Sequence, residues 1–173
     1  GRRSLLQRRS LKMKTLGIDP GIERLGWAVL AQEGRAVHYR ASGVKKTSRA
    51  ESHPRRLWEI ASFLEELILK HRPELVSLEK IFFVKNSKTA LTIGEVRGIV
   101  LMLAGKHEIE TSEFGPTEVK MALTGYGRAD KKGMARVLKL ILDLPEKVFG
   151  DDESDALAIA LCGVIHRKTL QKV

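Results

Sequence analysis

Apolar positions along this chain change their spacing several times, and each change marks a new element. Leu16 to Ile18, Gly26 to Ala31 and Val37 to Val44 are short apolar-rich runs set off by Pro20-Gly21 and Glu33-Gly34, so they read as three strands of an antiparallel meander. From Leu57 the spacing turns helical. Leu57, Ile60, Ala61, Leu64, Leu67 and Ile68 share one face, Arg55 and Arg56 stand at its start, and His71-Arg72-Pro73 ends the run. Leu75 to Leu78 follows at once, and a right-handed crossover lays it parallel to an earlier strand, ending at Glu79. Ser87 to His107 predicts a second helix through Ala90, Ile93, Val96, Val100, Leu101 and Ala104, with Gly94 and Gly98 four residues apart. Ile109 to Thr111 predicts a fifth strand. Pro116 opens a short helix through Val119 and Leu123. After the glycine-rich loop Gly125 to Arg128, the residues Met134, Val137, Leu138 and Ile141 mark another helix, stopped by Leu144-Pro145. The last helix starts near Asp152 and is apolar nearly all round from Ala156 to Ile165, which predicts burial on most sides. This order gives an α/β fold: a mixed sheet, three strands antiparallel and then two parallel, flanked by helices.

Four acids stand at the ends of these elements. Asp19 is delivered by an apolar strand and followed by a Pro-Gly turn; taken alone, it reads as a turn cap bonded to the next amides. The crossover changes that, because it brings Asp19 and Glu79 to one edge of the sheet. Asp152 and Asp155 share a helix face, and Asp151 and Asp155 share one equally well, so spacing leaves Asp151 and Asp152 open. The helix dipole accounts for Asp151, Asp152 and Glu153 as a group. It does not account for Asp155, which leads into a buried helix and needs a partner or a cation. Carboxylates so grouped repel one another unless divalent cations neutralise them, and an all-oxygen set suits Mg²⁺ or Mn²⁺ rather than zinc.

Composition narrows the class. At 173 residues and 43% hydrophobic content the chain is one domain with a sizeable core. Its net charge of +10 points to a polyanionic partner, nucleic acid first. Half of that excess lies in residues 1–12, with five basic residues and no acid; this stretch is expected to be a basic arm or a cloning remnant, and residues 13–173 a single domain. One cysteine, Cys162, excludes an intrachain disulfide and a multi-cysteine zinc site, and the cytoplasm is the expected compartment. Apolar runs break well short of ~20 residues, so no membrane span is expected. An acid cluster on a basic protein points to two-metal phosphodiester hydrolysis.

These residues carry a resemblance. Gly17-Ile18-Asp19-Pro20-Gly21, then Leu78 to Phe82 with Lys85-Asn86, Gly94-Glu95-Val96-Arg97-Gly98, Val119-Lys120, Asp130-Lys131 and Asp152 with Asp155 to Ala160 resemble, in order, the RuvC family of Holliday-junction resolvases, of ribonuclease H-like fold. The match runs from about Lys14 to Ile165. The resemblance implies a five-stranded ribonuclease H-like sheet and makes Asp19, Glu79, Asp152 and Asp155 the catalytic, metal-binding acids, choosing Asp152 over Asp151. It implies Mg²⁺, replaceable by Mn²⁺, with two ions per site. Lys120 and Lys131 are implied to lie near DNA, with Arg128 and Lys85 as further DNA contacts. Phe82 is implied to wedge between unstacked bases, where the residue itself reads equally as strand-end packing. The implied activity is that of a structure-selective endodeoxyribonuclease, a homodimer nicking four-way junctions at symmetric positions in recombination and repair. Its implied partner is a branch-migration motor of the RuvA and RuvB kind.

Two other classes compete. An ATPase lobe of the actin and sugar-kinase group also opens with Gly-Ile-Asp-x-Gly, but that fold needs two lobes, more than 173 residues supply. A junction-binding protein without cleavage has no use for carboxylates facing phosphates.

Overall fold

The computed structural model describes residues 12–81 and 87–170. Strands β1 (Lys12–Asp19), β2 (Arg24–Glu33) and β3 (Ala36–Lys46) form the meander, followed by helix α1 (His53–His71) and strand β4 (Leu75–Glu79). Helix α2 (Ser87–Lys106), strand β5 (Glu110–Phe114) and helices α3 (Pro116–Thr124), α4 (Lys131–Ile141) and α5 (Asp151–Leu170) complete the chain. The sheet order is β3-β2-β1-β4-β5, with β1 antiparallel to β2 and parallel to β4. The expected mixed sheet is what the chain forms.

Strand side chains alternate between faces, and this alternation divides the core in two. Leu16, Ile18, Val76 and Leu78 turn to one face and pack with Ile60 and Leu64 of α1 and Val96 and Val100 of α2. Ala28 and Leu30 turn to the other, against α3, α4 and a nearly fully buried α5. Helix α5 lies directly on the sheet because two strand residues there have no side chain. A Cβ at Gly17 would collide with the Ala156 carbonyl and Ala160, and one at Gly26 with the Asp152 backbone.

Two strands depart most from the sequence expectation. The first strand starts at Lys12 rather than Leu16, because Lys12 to Thr15 pair with Leu30 to Glu33 even though their side chains are largely polar. The fifth strand is Glu110–Phe114 rather than Ile109–Thr111. Its inward anchor is the buried Phe114, paired with Glu79, and the Thr-Ser-Glu stretch before it hides an edge strand from hydrophobic pattern.

Candidate active site

Register brings the first two acids together. Ile18 pairs with Leu78 across the parallel β1/β4 ladder, so Asp19 and Glu79, one residue further on each strand, leave the sheet side by side. Asp19 shares the parity of Gly17, and Glu79 that of Ser77; a Cβ at Gly163 of α5 would collide with Ser77. Both acids therefore lie on the α5 face, at the end where α5 begins.

The first turn of α5 splits its acids between different partners. Asp151 accepts from Lys131 Nζ at 2.6 Å, and Asp152 Oδ2 accepts from Arg24 Nε at 2.6 Å. Glu153 is buried and turns into the sheet, where Ser42 Oγ and Lys147 Nζ both donate to its Oε1 at 2.6 Å. Tyr39 Oη lies 3.0 Å from Ser42 Oγ, Lys147 stands 4.6 Å over the Phe149 ring, and Phe149 meets Tyr39 edge to face, closing a ring of five residues. This ring fixes the start of α5 against β3. The dipole reading of the three acids as one group is thus replaced by three separate contacts.

Charge is concentrated where the acids meet. Burial, then the charges of Asp155, Glu79 and Asp152, raise the Asp19 carboxyl from 3.8 to about 7. Burial followed by Asp155 raises Glu79. Asp155 is exposed to solvent at its cleft face rather than enclosed as expected, yet protein around it still raises its pKa by desolvation; Lys131 opposes this shift, and Asp151 and Asp152 reinforce it. The hydrogen bond from Lys131 holds Asp151 low, and the same bond holds Lys131 high. Asp152, and not Asp151, is among the charges felt by Asp19.

The acids straddle two cavities. One, of about 590 Å³, is lined by Glu79, Asp155 and Asp151, by Lys120 and Lys131, and by an apolar wall that includes Val119, Met134 and Phe149. The other, of about 740 Å³, runs from Asp19 and Asp152 past Arg24, Arg49 and Arg56 to Lys88 and Thr92. Among the described residues no three His, Cys, Asp or Glu side chains close on one point as ligands of a single ion do. Mutually raised carboxylates offering only oxygen donors nevertheless fit the chemistry of a divalent cation such as Mg²⁺.

Of the expected DNA contacts, Lys120 and Lys131 line the acid cavity, whereas Arg128 lines a separate surface pocket with Thr117, Met121, Tyr126 and Gly127. Phe82 and Lys85 lie outside the described residues. Sequence pattern does not single out Arg24. Arg49, still largely exposed, grips Glu23 with two bonds, at 3.0 and 2.7 Å. Thr47 Oγ1 donates to the Ile22 carbonyl at 2.6 Å and accepts from Arg56 Nε at 2.8 Å, so the β1–β2 turn is strapped to the start of α1. A run of basic residues around a polar Thr-Ser loop is the one sequence signal of this wall.

Comparison with known proteins agrees with this fold. A family model described as "Crossover junction endodeoxyribonuclease RuvC" matches residues 15–163. A protein of that name from Alkaliphilus metalliredigens is 41% identical over 150 residues, 87% of this chain and 92% of its own length. The structure "T. thermophilus RuvC in complex with Holliday junction substrate" aligns with a TM-score of 0.86 at 35% identity, covering 91% of this chain and 96% of that one. The structure "Thermus thermophilus RuvC structure" aligns at 0.83 with the same identity and coverage.

Proposed function

The chain belongs to the RuvC family of crossover junction endodeoxyribonucleases, and from that premise we propose that it resolves four-way DNA junctions by hydrolysing one phosphodiester in each of two opposed strands. The observation that carries this reading is the meeting of Asp19 and Glu79, on neighbouring parallel strands, with Asp152 and Asp155 at the start of α5. In this reading those four carboxylates hold divalent ions, two per site, Mg²⁺ or in its place Mn²⁺. When bound, such ions supply the polarisation that activates water and the charge that stabilises the leaving oxygen. Lys120 and Lys131 hold phosphates beside the acids. Water forms the new bond to phosphorus, the bond to the 3′ oxygen breaks, and that oxygen leaves as a hydroxyl opposite a 5′-phosphate.

Two cuts require two sites, so the working unit is a homodimer. Support for α2 as the interface lies on its surface. Leu91 and Met102 are 66% and 57% exposed on α2, and among the described residues a Cβ at Gly98 would meet nothing within 4 Å. Among those residues the glycine therefore serves no close approach. The stretch up to residue 12 is a basic arm or a cloning remnant, of which Lys12 already pairs in β1, residues 13–173 act as one nuclease domain, and a branch-migration motor of the RuvA and RuvB kind delivers the substrate. The cytoplasm suits a chain with one buried, unpaired cysteine and, among the described residues, no helix long and apolar enough to cross a membrane.

A labelled four-way junction tests this reading in Mg²⁺, Ca²⁺ or chelator. Asp19→Asn, Glu79→Gln and Asp155→Asn should bind the junction at least as well as the parent, since a repulsive charge is gone. Each should cut more than ~100-fold more slowly, a loss of roughly 3 kcal/mol at the transition state. Loss of binding in step with loss of cleavage would remove the acids from the chemistry.

A further inference from the structure

Arg24 opens β2, where the ladder pairs it with Lys46, and its guanidinium crosses to the start of α5. Two residues on, Gly26 lies beneath the Asp152 backbone, so the main chains of Arg24 and Asp152 hold a fixed separation. Only the side chains are free to part. The pair is open to water, at 47% exposed for Arg24 and 29% for Asp152. Its bond is made to Oδ2, an oxygen of the same carboxylate that the proposed function gives to a divalent ion. An ion and a guanidinium carry the same sign and compete for that carboxylate.

The neighbouring arginines are occupied differently. Arg49 is clamped by Glu23 and Arg56 by Thr47, neither of which is a candidate metal ligand. Arg24 bonds to a site carboxylate, and it also lines the 740 Å³ cavity shared with Arg49, Arg56, Lys88 and Thr92. A phosphodiester entering that cavity meets a basic wall.

We infer that Arg24 is a displaceable counter-cation of Asp152: it neutralises this carboxylate while no divalent ion is bound, and on displacement it turns to a substrate phosphate in the adjoining cavity. Metal loading and DNA binding then strengthen one another, each by the same factor. The inference rests on Asp152 as a metal ligand, and the experiment separates the two ideas.

Mn²⁺ binding to the DNA-free protein, read by electron paramagnetic resonance at low salt, supplies the first measurement. Arg24→Gln should bind Mn²⁺ about two- to fivefold more tightly, the range of an exposed ion pair, while Arg24→Lys stays near the parent. Asp152→Asn should weaken Mn²⁺ binding, and adding Arg24→Gln to it should change nothing further. In the second measurement, Ca²⁺ should tighten junction binding by a smaller factor in Arg24→Gln than in the parent. Unchanged or weaker Mn²⁺ binding in Arg24→Gln, with Asp152→Asn behaving as stated, overturns the counter-cation. Equal tightening of junction binding by Ca²⁺ in both proteins overturns it as well. Full Mn²⁺ affinity in Asp152→Asn overturns the ligand assignment beneath it.

Discussion

Asp19 holds its proton more tightly in the folded chain than in the unfolded one, because burial and three neighbouring acids oppose its charge. Folded protein therefore binds more protons between the ordinary carboxylate range and about 7. The stabilisation is complete below the unfolded pKa and is lost as pH rises through the folded one. Without divalent ions, Asp19→Asn should raise stability by ~4 kcal/mol at pH 8 and by less than half of that near pH 5, on the scale of 1.4 kcal/mol per pKa unit. Thermal melts at the two pH values in chelator decide this; a gain independent of pH would mean that the carboxylate is not strained by its neighbours. Asp19 and Glu79 are visible in the sequence because each ends an apolar strand, and Asp155 because it leads into a buried helix; spacing leaves Asp151 and Asp152 open, and only the family resemblance chooses Asp152. Arg24 is not visible there, since nothing in a lone arginine after a turn reveals which distant carboxylate it will reach, here 128 residues away.

Helix α5 is the element on which the site depends, and its seat is set by what the strands lack. Gly17→Ala would press a methyl into the Ala156 carbonyl and Ala160, neither of which is a flexible side-chain tip. The helix must lift, which should destabilise the chain by about 1–3 kcal/mol. It also moves Asp152 and Asp155 away from Asp19 and Glu79, so cleavage at a temperature where the variant is fully folded should fall further than stability explains. An unchanged rate per folded molecule would show that the acids tolerate a displaced helix. At this scale the pattern of strands and helices is legible wherever apolar spacing is strong. It fails at the edge strand β5, whose one buried apolar residue is Phe114. It also fails for Glu153, which reads as a dipole-matching acid and in fact turns inward to meet Ser42 and Lys147.

At the scale of the whole molecule, the proposed dimer makes a sharp demand on α2. Met102→Glu puts a charge on an exposed apolar position and should leave the monomer fold intact while lowering the dimer fraction in sedimentation. A dimer of undiminished affinity would move the interface elsewhere. Parent protein mixed with excess Asp19→Asn should nick single strands, whereas strictly paired nicks would mean that one site makes both cuts. Salt should weaken junction binding by ~10³ to 10⁵ between 50 and 200 mM if 6 to 10 phosphates are neutralised. Finally, the acids sit at positions 19, 79, 152 and 155, and β1 and β4 meet only through a long crossover. On the proposed assignment, a chain emerging from the ribosome would have no cutting centre until its last helix is made and has settled on the glycines of the first two strands. Unfinished copies would then leave DNA uncut, and ion uptake would report complete folding: in refolding, Mn²⁺ capture should not precede burial of Trp27 against Phe63.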